Sequence, residues 1–150
     1  MHKKHIVITL LISVIASALS YYYSIDYQYI AGSVIDMMAI ASAVYLAIYP
    51  LLQGSEQLIN KLKQPDGRIP RKTQMGVLNT YLKVGLIMGV TSIICGCIGL
   101  LIIGSYEEAI NKQPLWYMIY SSVAIGQFAG NFPLLWFIGE FMVNRVAFNR

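Results

Sequence analysis

Four long apolar stretches constrain the fold of this chain more than any other feature. The hydrocarbon core of a bilayer is about 30 Å thick, so a helix that crosses it needs about 20 predominantly apolar residues. The stretches are residues 6–23, 29–52, 77–104 and 115–146. The sequence therefore predicts one all-α domain over residues 1–150, a polytopic membrane protein with four transmembrane helices.

The composition excludes most classes of soluble protein. Of the 150 residues, 57% are hydrophobic and 12% are charged, whereas soluble domains carry about 25% charged residues. A formal net charge of +4 favours nucleic-acid binding only where basic and aromatic residues share a soluble surface. Here the basic residues lie between apolar stretches, so the sequence predicts membrane lipids as partners and no nucleic acid.

The distribution of Lys and Arg predicts the orientation, because cytoplasmic loops carry an excess of both. The basic residues at the two ends and in loop 53–76 are Lys3, Lys4, Lys61, Lys63, Arg68, Arg71, Lys72, Arg145 and Arg150. The two short loops hold acidic residues and a single basic residue, Lys112. We expect a multi-pass protein of the bacterial inner membrane with both termini and loop 53–76 in the cytoplasm.

The first stretch admits two interpretations, a cleavable secretory signal or the first membrane helix. The small-residue motif ASA at residues 16–18 is typical of a cleavage site. Thr9, Ser13, Ser17 and Ser20 recur at helical spacing and form one polar stripe. A discarded signal needs no such face, so we interpret the stretch as a retained helix.

The third stretch carries small residues at heptad spacing. Helices in lipid associate through close backbone approach and interhelical hydrogen bonds, so small residues mark their interfaces. Each Gly costs about 1 kcal/mol in helix propensity relative to Ala, which implies that something packs here. We name the row the glycine seam: Gly85, Gly89, Ser92, Gly96 and Gly99. Packing within one chain, packing against a second copy and lining a pore are all compatible with it.

The second stretch places an acidic residue inside the membrane. Gly32, Asp36, Ala39 and Ala43 form one stripe, and Asp36 lies about 10 Å below the outer surface at about 1.5 Å per residue. A charged side chain in the bilayer is costly and normally faces a bundle interior or a hydrated cavity. We expect Asp36 to face one of these, either on an ion or proton pathway or as a hydrogen-bonded structural carboxyl.

Two further groups of polar residues lie in the third and fourth stretches. Lys83 and Glu140 sit at matched depth near the inner surface, which predicts a salt bridge acting as a structural clamp or a gating latch, unless Lys83 extends to the headgroups. The fourth stretch combines small residues with two amides: Ser122, Gly126, Gly130, Gln127 and Asn131. This patch either joins helices or lines a narrow hydrated path.

The chain contains little that indicates catalysis. His2 and His5 are expected in the exposed basic start, and Cys95 and Cys97 point to roughly opposite sides of one helix. The sequence shows no nucleophile elbow, phosphate-binding loop or paired carboxylates. We expect no enzymatic activity, no catalytic residue, no cofactor and no metal site.

The run AVYLAIYPLLQGSEQLINKLKQ leads from the second stretch into the basic loop, and its SEQLINKLK segment predicts a short helix. In layout the chain resembles small four-helix membrane proteins of bacterial phage-exclusion and phage-defence loci, of the RexB type or the Kiwa membrane-subunit type. The resemblance is one of topology and covers the whole chain. It implies an oligomer that perturbs the membrane, or an anchor for a cytoplasmic effector.

Three functional hypotheses follow. The first is a homo-oligomeric component, channel-like or scaffold-like, that meets a cytoplasmic partner through loop 53–76 in a membrane system with a possible antiviral role. The loop residues are Lys61, Lys63, Arg68, Arg71 and Lys72, and attraction to anionic lipids accounts for them equally well. The second is an immunity-type protein that recognises a pore-forming toxin in the bilayer. The third is an accessory subunit of a transporter or secretion complex.

Overall fold

A computed structural model describes residues 2–54, 56–66, 73–103 and 115–144. These residues are helical almost throughout, which confirms the all-α prediction. The helices are α1 (Lys3–Tyr22), α2 (Gln28–Gln53), α3 (Glu56–Leu62), α4 (Gln74–Ile103) and α5 (Leu115–Met142). The short helix predicted in the basic loop is confirmed as α3.

Three of the described helices are long and apolar enough to cross a membrane, which supports the prediction of a membrane protein. They are Lys3–Tyr22, Gln28–Ile48 and Gln74–Leu101. With its 28 residues, α5 has a length of about 42 Å at about 1.5 Å per residue. Its Gln127, Asn131 and Glu140 lower its hydropathy, and the fourth span therefore remains a prediction.

The four long helices pack as two pairs. The pairs are α1 with α5 and α2 with α4, and the contact of α4 with α5 joins them. Consecutive helices α1 and α2 thus pack on different partners. The largest fully buried side chains lie mainly in the second pair: Tyr27, Met38, Tyr45, Leu78 and Tyr81, with Leu134 from α5.

A tight turn carries the chain from α1 to α2. Ser24 has a φ of 51°, the left-handed conformation that ends many helices. The Ile25 N–H donates to Ser20 O at 3.0 Å, and the Ser24 N–H donates to Tyr21 O at 3.2 Å. This double hydrogen bond is the Schellman motif, and it reverses the chain in five residues.

The start of α2 is fixed by Asp26. Its Oδ1 accepts a hydrogen bond from the Gln28 backbone N–H at 2.9 Å and another from the Tyr117 hydroxyl. A carboxylate is favoured at a helix N-terminus because the first backbone N–H groups lack partners within the helix. Asp26 therefore joins the start of α2 to the start of α5.

Candidate functional site

The glycine seam of α4 is filled by bulky side chains of α2. A Cβ added at Gly85 would lie 2.8 Å from the Tyr45 ring, and one at Gly96 would lie 2.6 Å from Ile35 Cγ1. Real Cβ atoms do not approach so closely, so only glycine permits this packing. All seam positions are buried: Gly85, Gly89, Ser92, Gly96 and Gly99. Of the alternatives that the sequence left open, the structure shows packing within the chain.

The polar patch of the fourth stretch joins α5 to α4. Asn131 is fully buried, and its Nδ2 donates to Ser92 Oγ at 3.2 Å. Gln127 Nε2 donates to the Met88 carbonyl at 3.3 Å, and Cys95 Sγ donates to Gln127 Oε1 at 3.6 Å. These polar groups therefore join α5 to α4 by hydrogen bonds. This agrees with the first of the two interpretations of the patch, in which it joins helices.

The polar stripe of α1, which we name the serine stripe, lies on a small-residue ridge of α5. The ridge is formed by Ser122, Gly126 and Gly130. A Cβ at Gly126 would overlap Ser17 Oγ, and one at Gly130 would overlap Ser13 Oγ. Thr9 and Ser20, at the two ends of the stripe, are buried. The stripe is therefore confirmed as a packing face of α1.

Asp36 does not face the interior of the bundle, so the first of the two placements expected for it is wrong, and the hydrated cavity stays a prediction. Its side chain is exposed on the outer surface of α2. At about 100° per residue, Asp36 lies roughly opposite Val34 and Tyr45, which are buried against α4. The reason is volume, because the glycine seam accepts the bulky face of α2 and leaves the small-residue face outside.

The predicted salt bridge between Lys83 and Glu140 is also absent. Both residues lie in the described part of the chain, both are exposed, and no ion pair joins them. Each lies two positions from a residue that does face the bundle, Tyr81 and Ile138 respectively. The two side chains therefore lie on faces of α4 and α5 that do not meet.

The two histidines form a cluster that sequence reasoning missed. Both are partly buried, which corrects their placement in an exposed anchor. His5 Nδ1 lies 2.5 Å from the Tyr81 hydroxyl, which also accepts a hydrogen bond from the His2 backbone N–H at 3.1 Å. His5 stacks on Phe137 with ring centroids 3.8 Å apart. Nothing in the local sequence indicates these partners, which come from two other helices.

The histidine cluster also brings the start of α1 to the basic loop. His2 Nε2 lies 3.9 Å from Asp66 Oδ2, whose side chain is only 1% exposed. Of the predicted loop residues, Lys61 is partly exposed and Lys63 exposed. Three more, Arg68, Arg71 and Lys72, lie outside the described residues, as do Lys112, Arg145 and Arg150.

An open apolar groove of about 620 Å³ runs beside the contact of α1 with α5. Its lining includes Val14, Ser17, Tyr21, Ile119 and Val123. Tyr21 lies near the C-terminal end of α1, so the groove occupies the C-terminal half of that helix. Across the described ranges, no group of three His, Cys, Asp or Glu side chains could hold a metal ion.

No protein-family model, curated protein or solved structure matches this chain. Three features of the chain's own geometry therefore bear on its function. They are the internal packing of both small-residue ridges, the outward position of Asp36, and the meeting of the first residues with the basic loop.

Proposed function

We propose that this chain is a non-enzymatic integral membrane protein that works as a homo-oligomeric component, channel-like or scaffold-like, of a bacterial inner membrane. In this proposal all four long helices cross the bilayer. Both termini and loop 53–76 lie in the cytoplasm, where the loop meets a protein partner or anionic lipid. The topological resemblance to phage-defence membrane proteins supports a role in defence.

Helix packing supports the fourth span. Ser13 and Ser17 of α1 lie against Gly130 and Gly126 of α5, and α1 is apolar enough to cross the membrane. A helix that packs on a spanning helix through mid-membrane residues shares its environment. We therefore infer that α5 crosses the bilayer with α1 despite its lower hydropathy.

Contacts at the two ends of the bundle support the topology. At one end, His2 approaches Asp66 and Tyr81, so the first residues and the loop after α3 lie on the same side. At the other end, Asp26 accepts a hydrogen bond from Tyr117. This arrangement matches four antiparallel spans, and the Lys and Arg distribution favours the first end as cytoplasmic.

The single observation that carries the oligomer is the outward position of Asp36. Within the part of the chain that the structure describes, no side chain or backbone group donates a hydrogen bond to its carboxyl. A polar side chain inside the hydrocarbon region is strongly disfavoured against lipid. A neighbouring protein surface or a hydrated path removes this cost, and an assembly provides either.

The test is the mass of the purified full-length protein in nanodiscs, combined with ion flux into liposomes. We expect a defined oligomer of the wild-type chain. Flux that changes in Asp36→Asn supports the channel-like form, whereas an oligomer without flux supports the scaffold-like form. A monomer at every protein-to-lipid ratio overturns the proposal.

The proposed topology makes a second prediction, on single cysteines in a variant with both native cysteines replaced by Ala. We expect Ser24→Cys to react with a membrane-impermeant maleimide added outside intact spheroplasts. Lys63→Cys should react only after the membrane is opened. The reverse pattern would invert the orientation, and equal outside reactivity of both positions would contradict the single span, α2, that lies between them.

The groove beside α1 favours one alternative, an immunity-type protein that recognises a toxin helix in the bilayer. The groove is apolar, opens sideways and lies within the outer half of α1. This alternative predicts a monomer without conductance. A bulky substitution at Val123 should then abolish protection of cells against a pore-forming toxin, while the protein's mass and helicity stay unchanged.

A further inference from the structure

We infer that two copies of this chain pack against each other through the outward surface of α2, in parallel and about a two-fold axis normal to the membrane. We name this surface the Asp36 face and define it by Gly32, Asp36, Ala39 and Ala43. The inference rests on the proposed oligomer and specifies its interface. The glycine seam and the small-residue ridge of α5 are already occupied by other helices of the same chain, so neither provides that interface.

The Asp36 face lies free of the other parts of the chain that the structure describes. All its defining residues are exposed, and a Cβ at Gly32 would meet nothing within 4 Å. The bulky buried side chains of α2 leave from the other side of the helix, among them Val34, Met38 and Tyr45, and Tyr45 lies against Gly85 of the glycine seam. A helix with one side occupied and the other side small can pack in two directions at once.

Residue size makes the face suitable for close helix contact. Gly32 precedes Asp36 by four residues, and Ala39 and Ala43 follow at intervals of three and four, so these residues form one ridge along the helix. Small residues at these intervals allow the backbones of two membrane helices to approach, which is where such helices gain contact energy. Lipid tails do not make comparably close contacts with a helix surface of small residues.

Asp36 makes the face specific for a polar partner. It begins the third turn of α2, about 12 Å along the helix axis from Gln28, and its short side chain cannot extend to the headgroups as a lysine can. An acyl chain offers no hydrogen-bond donor. The occupant therefore has to bring a donor or acceptor to the same depth.

A second copy meets that condition through symmetry alone. All copies insert with the same orientation, so a two-fold axis between them is normal to the membrane and pairs each residue with its own equivalent. Each Asp36 then lies at the same depth as its equivalent. Ser33, also exposed and one turn before Asp36, brings a hydroxyl that donates to the carboxyl of the other copy. An unrelated partner would need its own matching group.

The test is disulfide crosslinking of full-length chains in native membranes, with both native cysteines replaced by Ala. We expect Ala39→Cys and Ala43→Cys to give a crosslinked dimer. As controls, Val90→Cys and Ile94→Cys lie on exposed positions of α4 at similar depth and should remain monomeric. Crosslinking at α4 with none at α2 overturns the inference.

Self-association measured in nanodiscs separates the contributions of size and polarity. Gly32→Leu and Asp36→Leu should weaken the dimer roughly tenfold, as expected for the loss of close packing or of an interhelical polar contact. Asp36→Asn should keep it, because paired amides both donate and accept. Unchanged affinity in both leucine variants contradicts the inference.

The outcomes distinguish this inference from the proposed function. A monomeric wild-type chain removes both. A wild-type oligomer whose affinity is insensitive to Gly32→Leu, and whose crosslinks lie on another helix, retains the proposed function and removes the Asp36 face. Circular dichroism and thermal unfolding of each variant should match wild type, since Gly32 and Asp36 contact no other helix.

Discussion

Of two small-residue surfaces on neighbouring helices, one is buried in this molecule and the other is exposed. The glycine seam of α4 is buried under α2, with Ile35 so close to Gly96 that any side chain there would collide with it. The Asp36 face of α2 shows the same spacing of small residues but lies open, and Gly32 has no neighbour within 4 Å. Spacing alone therefore does not decide which surface of a membrane helix is an internal contact.

The difference between the two surfaces lies in what stands opposite. Bulky side chains of α2, among them Tyr45, provide volume that glycine on α4 can accept. The Asp36 face has nothing bulky opposite it, and it carries a carboxyl that needs a polar partner. The comparison teaches that a glycine seam can receive large side chains as readily as it receives another glycine-lined helix.

The difference between the two surfaces is tested most directly by substituting leucine for one glycine on each of them. Gly96→Leu should lower the free energy of unfolding by about 3 kcal/mol or more, because the new side chain overpacks against Ile35. Gly32→Leu should leave it unchanged, because nothing lies near. Denaturant titration in detergent micelles, followed by circular dichroism, measures both.

The contrary result for this pair would have a clear meaning. If Gly96→Leu unfolds at the wild-type denaturant concentration but loses its oligomer, then the glycine seam lies between copies. In that case α2 does not fill the seam in the membrane. The glycine seam would then not pack within one chain. Since the seam would be free to join two copies, its occupancy could no longer be used to assign the interface to the Asp36 face.

A smaller effect is expected at Ser92, a seam position that faces α5. Ser92→Ala removes the acceptor of the Asn131 Nδ2 hydrogen bond and should destabilise the chain by about 1 kcal/mol. The control is Thr91→Ala on the exposed side of the same turn, where the hydroxyl donates only to the Ile87 carbonyl. Thr91→Ala should cost less than half as much. Equal losses would show that the contact with Asn131 contributes nothing.

The sequence was sufficient to predict the all-α class and the position of each long helix, because those depend on local hydrophobicity and length. It was also sufficient to identify the rows of small residues, since these follow from helical period. It could not show that Gly126 packs on Ser17, or that His5 stacks on Phe137. Such pairs join residues far apart in the chain, and no local pattern connects them.

The wrong predictions share one physical origin. Depth in the membrane can be read from a helix by counting residues, and depth suggested both a Lys83–Glu140 pair and an inward Asp36. Rotation about the helix axis decides whether side chains at equal depth meet, and rotation depends on which faces pack. The volume of the α2 side chains fixed that rotation and turned Asp36 outward.

The last comparison concerns two serines on opposite sides of α2. Ser42 faces the glycine seam near Gly89, and its buried Oγ has no hydrogen-bond partner among the described residues. Ser42→Ala should therefore raise the free energy of unfolding by about 1 kcal/mol, since it removes an unsatisfied polar group. Ser33→Ala, on the exposed side, should leave unfolding unchanged and slightly weaken self-association. Both are measured on the same nanodisc and detergent samples as the leucine variants.

If Ser42→Ala instead destabilises the chain, its hydroxyl has a partner in the membrane. The two sides of α2 would then differ less in polarity than the packing indicates.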